Sequence, residues 1–280
     1  MARIGTLLLL LALPVRADPA GDFAVLLAQT VREDGVDYEE LARGRDALDR
    51  FVASLAAADP GAAPADRAAF WINAHNAFVL RLMLDTRPGT VDRAVFFGPK
   101  WRVALRDATL DDMADLARDA GGPLVRFALY RAARSSPPLS PVPYRGADLA
   151  EALAQQTRAY LADGTRNRFA YAQLEAEISM LFRWYKGDFE PLQAFLADHM
   201  PADREDVARS LRTTAWRISF RPWDWSLDEA GARKPTGRPL WLALYAIVAA
   251  GLVLLGVRAF RGLLRPLPHA PSPPGEIGNL

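Results

Sequence analysis

The run Ala69-Phe70-Trp71-Ile72-Asn73-Ala74-His75-Asn76-Ala77-Phe78-Val79-Leu80 constrains the fold more than any other stretch. It is apolar almost throughout, and a helix this hydrophobic on every side is buried on most of its faces. Asn73, His75 and Asn76 then lie inside the protein. They need hydrogen-bond partners, because a buried polar group without one costs about 1–3 kcal/mol. Such a trio marks either a rigid structural network or a functional site.

The helix belongs to a chain of 280 residues with a net charge of +1 and no cysteine. Disulfides, thiolate metal sites, iron–sulfur clusters and a cysteine nucleophile are therefore excluded. A domain of this size can still fold without covalent staples in an oxidising compartment. The three histidines, His75, His199 and His269, form no HxH or HxxxH pair, so no zinc site and no other cofactor is expected. Lys and Arg are scattered rather than run together with aromatics, which argues against a nucleic-acid partner.

Both ends point to a membrane. Met1-Ala2-Arg3, an apolar run from Ile4 to Val15, and Val15-Arg16-Ala17 read as a secretory signal cleaved after Ala17. An uncleaved N-terminal anchor is the alternative. Leu240 to Val257 is 18 residues without a charge. At 1.5 Å per residue it covers about 27 Å, close to the hydrocarbon thickness of a bilayer. Its small face, with Ala249, Ala250, Gly251 and Gly256, suits packing against another membrane helix. Arginines flank both ends, so orientation rests on the leader rather than on loop charge. The expected layout is a signal over 1–17, an exported domain over 18–232, a transmembrane helix over 238–260, and a disordered Pro-rich cytoplasmic tail over 261–280. The Ala- and Arg-rich composition reads as bacterial. The expected address is therefore the inner membrane, single-pass, with the globular domain in the periplasm.

The expected fold is α+β, helix-dominated, in one globular domain. Residues 20–33, 37–58 and 64–86 read as helices, with a break at Asp59-Pro60-Gly61. Trp101–Leu105 reads as a strand. Thr109-x-x-Asp112 opens a further helix with a weak capping box, and Gly121-Gly122-Pro123 ends it. The alternation of Val125, Phe127 and Leu129 predicts a strand over 124–133, with helix as the alternative. Helices follow over 146–162, 179–185 and 190–200, and strands over 166–171 and 216–220.

Several of these pieces occur together and in order: Val36-Asp37-Tyr38, Ala69–Leu80, Arg126-Phe127-Ala128-Leu129 leading to Ser135-Ser136-Pro137-Pro138-Leu139, Tyr144-x-Gly146, Phe182-Arg183-Trp184-Tyr185 with Asp188-Phe189, and Asp224-Trp225-Ser226-Leu227. As a set they resemble the family known as domain of unknown function 547. The resemblance implies a shared fold without an established activity. The family usually has Tyr where His75 stands, His where Arg126 stands, and Cys where Arg131 and Ser136 stand. Any thiol chemistry of the family is therefore lost here.

The candidate residues each carry two readings. Asn73, His75 and Asn76 form either a polar pocket with His75 as acid or base, or a network tying the helix to loops. Ser136 as a nucleophile would need His75 as its base, and no Gly-x-Ser-x-Gly elbow surrounds it. Arg126, Arg131 and Arg134 form an anion-binding cluster or ordinary paired charge. On a strand, Arg126 and Arg134 would share one face and Arg131 would take the other. Trp184, Tyr185, Trp216, Trp223 and Trp225 line a groove or pack the core. Asp37, Asp188 and Asp224 serve acid/base chemistry or cap turns and helices. The expected function is a ligand- or partner-binding module of the cell envelope. The alternative is an envelope hydrolase or transferase using Asn73, His75, Asn76 and Ser136. The expected partners are an envelope or membrane protein and the lipid bilayer through residues 240–257.

Overall fold

The computed structural model describes residues 18–231. The expected signal over 1–17, the span over 238–260 and the tail over 261–280 lie outside the described residues. Within 18–231 no helix is long and apolar enough to cross a membrane. This part of the chain forms one compact unit, helix-dominated α+β with small sheets.

Asp18 caps α1 (Pro19–Thr30) by accepting from the Gly21 amide at 3.0 Å. The strands β1 (Val31–Arg32) and β2 (Gly35–Val36) form a minimal antiparallel hairpin. Gly35 has φ +142°, and a side chain there would meet the Asp228 carbonyl oxygen at 2.9 Å. Only glycine lets the hairpin dock on the 228–230 segment.

The single helix expected over 37–58 is instead α2 (Tyr38–Arg43), α3 (Arg45–Ser54) and a short 3-10 turn, Leu55–Ala57. The break falls at Gly44, where a Cβ would lie 2.2 Å from Leu26 Cδ1 of α1. A side chain here would have to push the Leu26 methyl aside, and glycine is a weak helix former.

The helix over 64–86 is realised as α4 (Pro64–Thr86). Every residue from Ala68 to Leu80 except Phe70 and Asn73 is buried. It packs on α5 (Leu110–Gly121), which a complete Thr109–Asp112 capping box opens. Between the two helices, β3 (Trp101–Val103) pairs antiparallel with β4 (Arg106–Ala108).

The strand expected over 124–133 is not formed. Pro123–Phe127 is a 3-10 turn, and the chain then runs irregularly to Arg145. The alternation misled because Val125 through Ala133 is buried on every side. A positive φ of 56° at Ala132 also breaks any extended run. Buried backbone must find partners, and here many are side chains rather than a neighbouring strand. The two-faced placement of Arg126, Arg134 and Arg131 falls with the strand.

The second half holds α6 (Leu149–Ala162), β5 (Arg168–Ala170), β6 (Glu175–Ser179), α7 (Leu181–Trp184), α8 (Leu192–Asp198), α9 (Glu205–Thr213) and β7 (Arg217–Arg221). The sheet order is β5-β6-β7, with β5 antiparallel and β7 parallel to β6. One apolar core surrounds α4. A second gathers Phe127, Tyr160, Phe182 and Phe189, with Phe195 against them.

Candidate functional site

Two of the three polar side chains of α4, Asn73 and Asn76, supply the partners that the irregular 128–144 segment lacks. Asn73 Nδ2 donates to the Tyr144 carbonyl at 2.8 Å, and its Oδ1 accepts from the Tyr144 amide at 2.9 Å. Asn76 does the same further along. Its Nδ2 donates to the Ala128 carbonyl and its Oδ1 accepts from the Tyr130 amide, both at 2.9 Å. Each primary amide thus mimics a strand neighbour, offering one donor and one acceptor to a backbone that has no strand beside it.

Asn76 Oδ1 is already an acceptor, so His75 Nδ1, 3.1 Å away, must be the donor. His75 is therefore neutral with its proton on Nδ1, and Nε2 is a buried acceptor without a partner among the described residues. Complete burial, with the positive charge of Arg131 adding to it, pushes the ring pKa down to about 3. A general base needs a pKa near the working pH and an accessible lone pair; this ring has neither.

Ser136 is fully buried. Its Oγ accepts from the Arg131 amide at 2.8 Å and donates to the Pro137 carbonyl at 3.0 Å. The structure does not join Ser136 to His75 by a hydrogen bond. The Ser135-Ser136-Pro137-Pro138 stretch is a structural turn, clasped from outside by Arg166, whose guanidinium donates to the Ser136 and Arg134 carbonyls at 2.9 Å.

Arg126 and Arg131 converge with Tyr185. Arg126 lies 4.0 Å above the Tyr185 ring, and Arg131 donates to the Tyr185 hydroxyl. Arg126 is also held by Asp188 (Nε to Oδ2, 2.9 Å) and Asp115 (Nη2 to Oδ1, 3.2 Å). Arg118 grips the other Asp188 oxygen through Nε at 2.8 Å and Nη2 at 2.6 Å. Burial works to raise the Asp188 carboxyl, but hydrogen bonds from Arg126 and then Arg118 outweigh it and hold it below the usual carboxylate range. Arg131 differs: it is 6% exposed and has no carboxylate within ion-pair distance among the described residues. Instead it faces Phe96, 5.0 Å from the ring centre.

Tyr185 follows directly on Trp184, so the cations adjoin a group of half-buried indoles. Trp184 lies 4.7 Å from Trp223 and 5.9 Å from Trp225, ring centre to ring centre. Arg93 sits 5.6 Å over Trp184. Trp223 Nε1 is buried without a partner among the described residues. Asp224 shapes the segment: its amide donates to Ser135 Oγ at 2.8 Å and its carboxylate accepts from the Ser226 amide at 2.9 Å. Trp216 lies apart, in the second core.

The candidate residues therefore separate into two groups. Asn73, Asn76 and Ser136 hold the 128–144 segment, with His75 bonded to Asn76, while the half-buried Trp184, Tyr185 and Trp225 gather over the buried cations Arg126 and Arg131. Asp115, Arg118 and Arg93 border that group and Phe96 lies buried beside Arg131; these four carry no sequence signal, since they are solitary residues brought close only by the fold. Among the described residues no three His, Asp or Glu side chains are placed to hold a metal ion.

Comparison with known proteins adds a family but no activity. No curated protein and no solved structure matches the chain. Residues 62–161, from the start of α4 to the end of α6, match the family model described as "Protein of unknown function, DUF547". The matched stretch holds Asn73, His75, Asn76, Arg126, Arg131 and Ser136, whereas Trp184, Tyr185, Asp224 and Trp225 lie beyond it. Over residues 62–161 the chain is similar to the DUF547 family, the family its sequence motifs resemble.

Proposed function

We propose that this chain is a membrane-anchored periplasmic module that binds a ligand or partner protein in the cell envelope and does not transform it. One observation carries the reading: the polar groups that catalysis would need are engaged in holding backbone. Asn73 and Asn76 clamp the 128–144 segment, Ser136 Oγ is donor and acceptor within its own turn, and His75 is sealed and neutral. Of the positions where the family resemblance leads one to expect His or Cys, Arg126 and Arg131 are not nucleophiles, and the Ser136 hydroxyl is buried within its own turn. What stays available is the half-buried group of Tyr185, Trp184 and Trp225, with the buried Arg131 hydrogen-bonded to the Tyr185 hydroxyl. Half-buried indoles beside a guanidinium are the side chains that dominate binding energy at interfaces. The leader and the apolar run of 240–257 support the address.

A photo-crosslinking residue at Trp184 or Trp225, in the full chain expressed in cells, tests this. Adducts are expected at both positions and none at the exposed Val142, and a serine-reactive fluorophosphonate is expected to leave Ser136 unlabelled. Labelled Ser136, or no adduct at either tryptophan, would overturn the reading.

A further inference from the structure

A second concave site lies away from the Arg126–Arg131 surface and shares no residue with it. It is a cleft of about 390 Å³ between the N-terminal half of α4, the β3–β4 turn and the C-terminal half of α5. That size falls within the range of small-molecule sites, about 300–1,000 Å³. Its wall carries Arg67, Trp71 and Arg106, with Ala104, Leu116 and Asp119.

Two features set it apart from a passive groove. The first is charge. Arg67 and Arg106 have no carboxylate within ion-pair distance among the described residues, although most arginines of this domain do. Arg67 donates to the Ala62 carbonyl, which tethers its guanidinium. Arg106 stands 6.0 Å from the centre of the Trp71 indole. The one carboxylate on the wall, Asp119, is engaged by Arg118 at 3.4 Å. The second feature is strain. Ala104 and Leu105 have φ of +48° and +60°, consecutive left-handed residues that are not glycine. Each costs about 1–2 kcal/mol. Their amides donate to the Leu55 and Ala56 carbonyls, both at 2.9 Å, which fixes the turn against the end of the preceding 3-10 turn. The strained turn holds Ala104 in the wall and places Arg106 at its rim; strain of this kind concentrates where a site must be preorganised.

We infer that this cleft binds a small organic anion, its acid group between Arg67 and Arg106 and its apolar part against Ala104, Leu116 and the edge of the largely buried Trp71. The recognition is that of a guanidinium pair for a phosphate monoester or carboxylate, with Ala104, Leu116 and the edge of Trp71 supplying the apolar contact. The inference stands whether or not the Arg131–Trp225 surface binds a partner.

Calorimetric titration of the full chain in detergent with phenyl phosphate, inorganic phosphate and phenol tests it. Phenyl phosphate is expected to bind saturably, and the other two at least tenfold more weakly. Arg106→Gln, at an exposed residue, and Arg67→Gln are each expected to weaken phenyl phosphate about tenfold. Tyr185→Phe is expected to leave it unchanged, which separates this cleft from the other surface. Should Arg67→Gln unfold the chain by releasing Ala62, Arg106→Glu reads the same charge. No saturable binding of phenyl phosphate at about 10 mM, enough to fill a millimolar site, would overturn the inference. So would inorganic phosphate binding as tightly, or affinity unchanged in the Arg106 variants.

Discussion

Replacing Asp188 with alanine is expected to destabilise the domain by about 3–5 kcal/mol, the usual cost of leaving one half of a buried ion pair behind. The reason lies in what remains. Arg126 is 7% exposed, and its Nε would lose the 2.9 Å bond to Asp188 with no water to replace it. Arg118, 38% exposed, can turn outward and adds little. Asp115 contacts the same Arg126 but is 62% exposed, so Asp115→Ala is expected to cost less than about 1 kcal/mol. Urea unfolding of the two variants checks the contrast. Equal losses, or a loss under 1 kcal/mol for Asp188, would show that burial of this network is not what gives it weight.

Asn76→Ala is expected to cost about 2–6 kcal/mol. It strands two fully buried backbone groups, the Tyr130 amide and the Ala128 carbonyl, at about 1–3 kcal/mol each. It also removes the acceptor for His75 Nδ1. Asn76→Asp keeps the shape and the acceptor, yet it loses the donor to Ala128 and buries a charge, so it is expected to be no better than alanine. Asn73→Ala is expected to be milder, because Tyr144 and Asn73 are only partly buried at their contact and water can replace the side chain. Thermal or urea unfolding ranks the three. Wild-type stability in Asn76→Ala would mean that the 128–144 segment does not depend on α4 for its hydrogen bonds.

The same residues show what sequence patterning could and could not reveal. The bounds of α4 and the burial of Asn76 and His75 were legible because an all-round apolar helix leaves no other place for them; Asn73 is only partly buried. The capping box at Thr109 was legible because it is local. The 37–58 break was not, since what crowds Gly44 is Leu26, eighteen positions earlier and on another helix. The 124–133 strand misled because alternation also arises when an irregular segment is buried on both sides. What replaces the strand ladder there is side-chain amide from residues more than fifty positions upstream. The Arg126–Asp188–Arg118 network and the cleft at Trp71 depend on pairs distant in sequence, with no periodicity to announce them.

Whether the α4 polar trio is scaffold or catalyst rests most directly on His75. Its ring is held near pKa 3 when folded and returns to about 6.5 when unfolded. The unfolded chain therefore takes up the proton first, and His75 favours the native state above pH 6.5 and loses that contribution as the pH falls toward 3. Nitrogen-15 NMR of the histidine rings, with His199 and His269 identified by substitution, reads both tautomer and titration. A neutral His75 with its proton on Nδ1, unchanged from pH 8 down to about pH 4 while the fold persists, is the predicted result. A His75 midpoint between about pH 5 and 8, or a proton resident on Nε2, would contradict the account and restore His75 as a proton carrier.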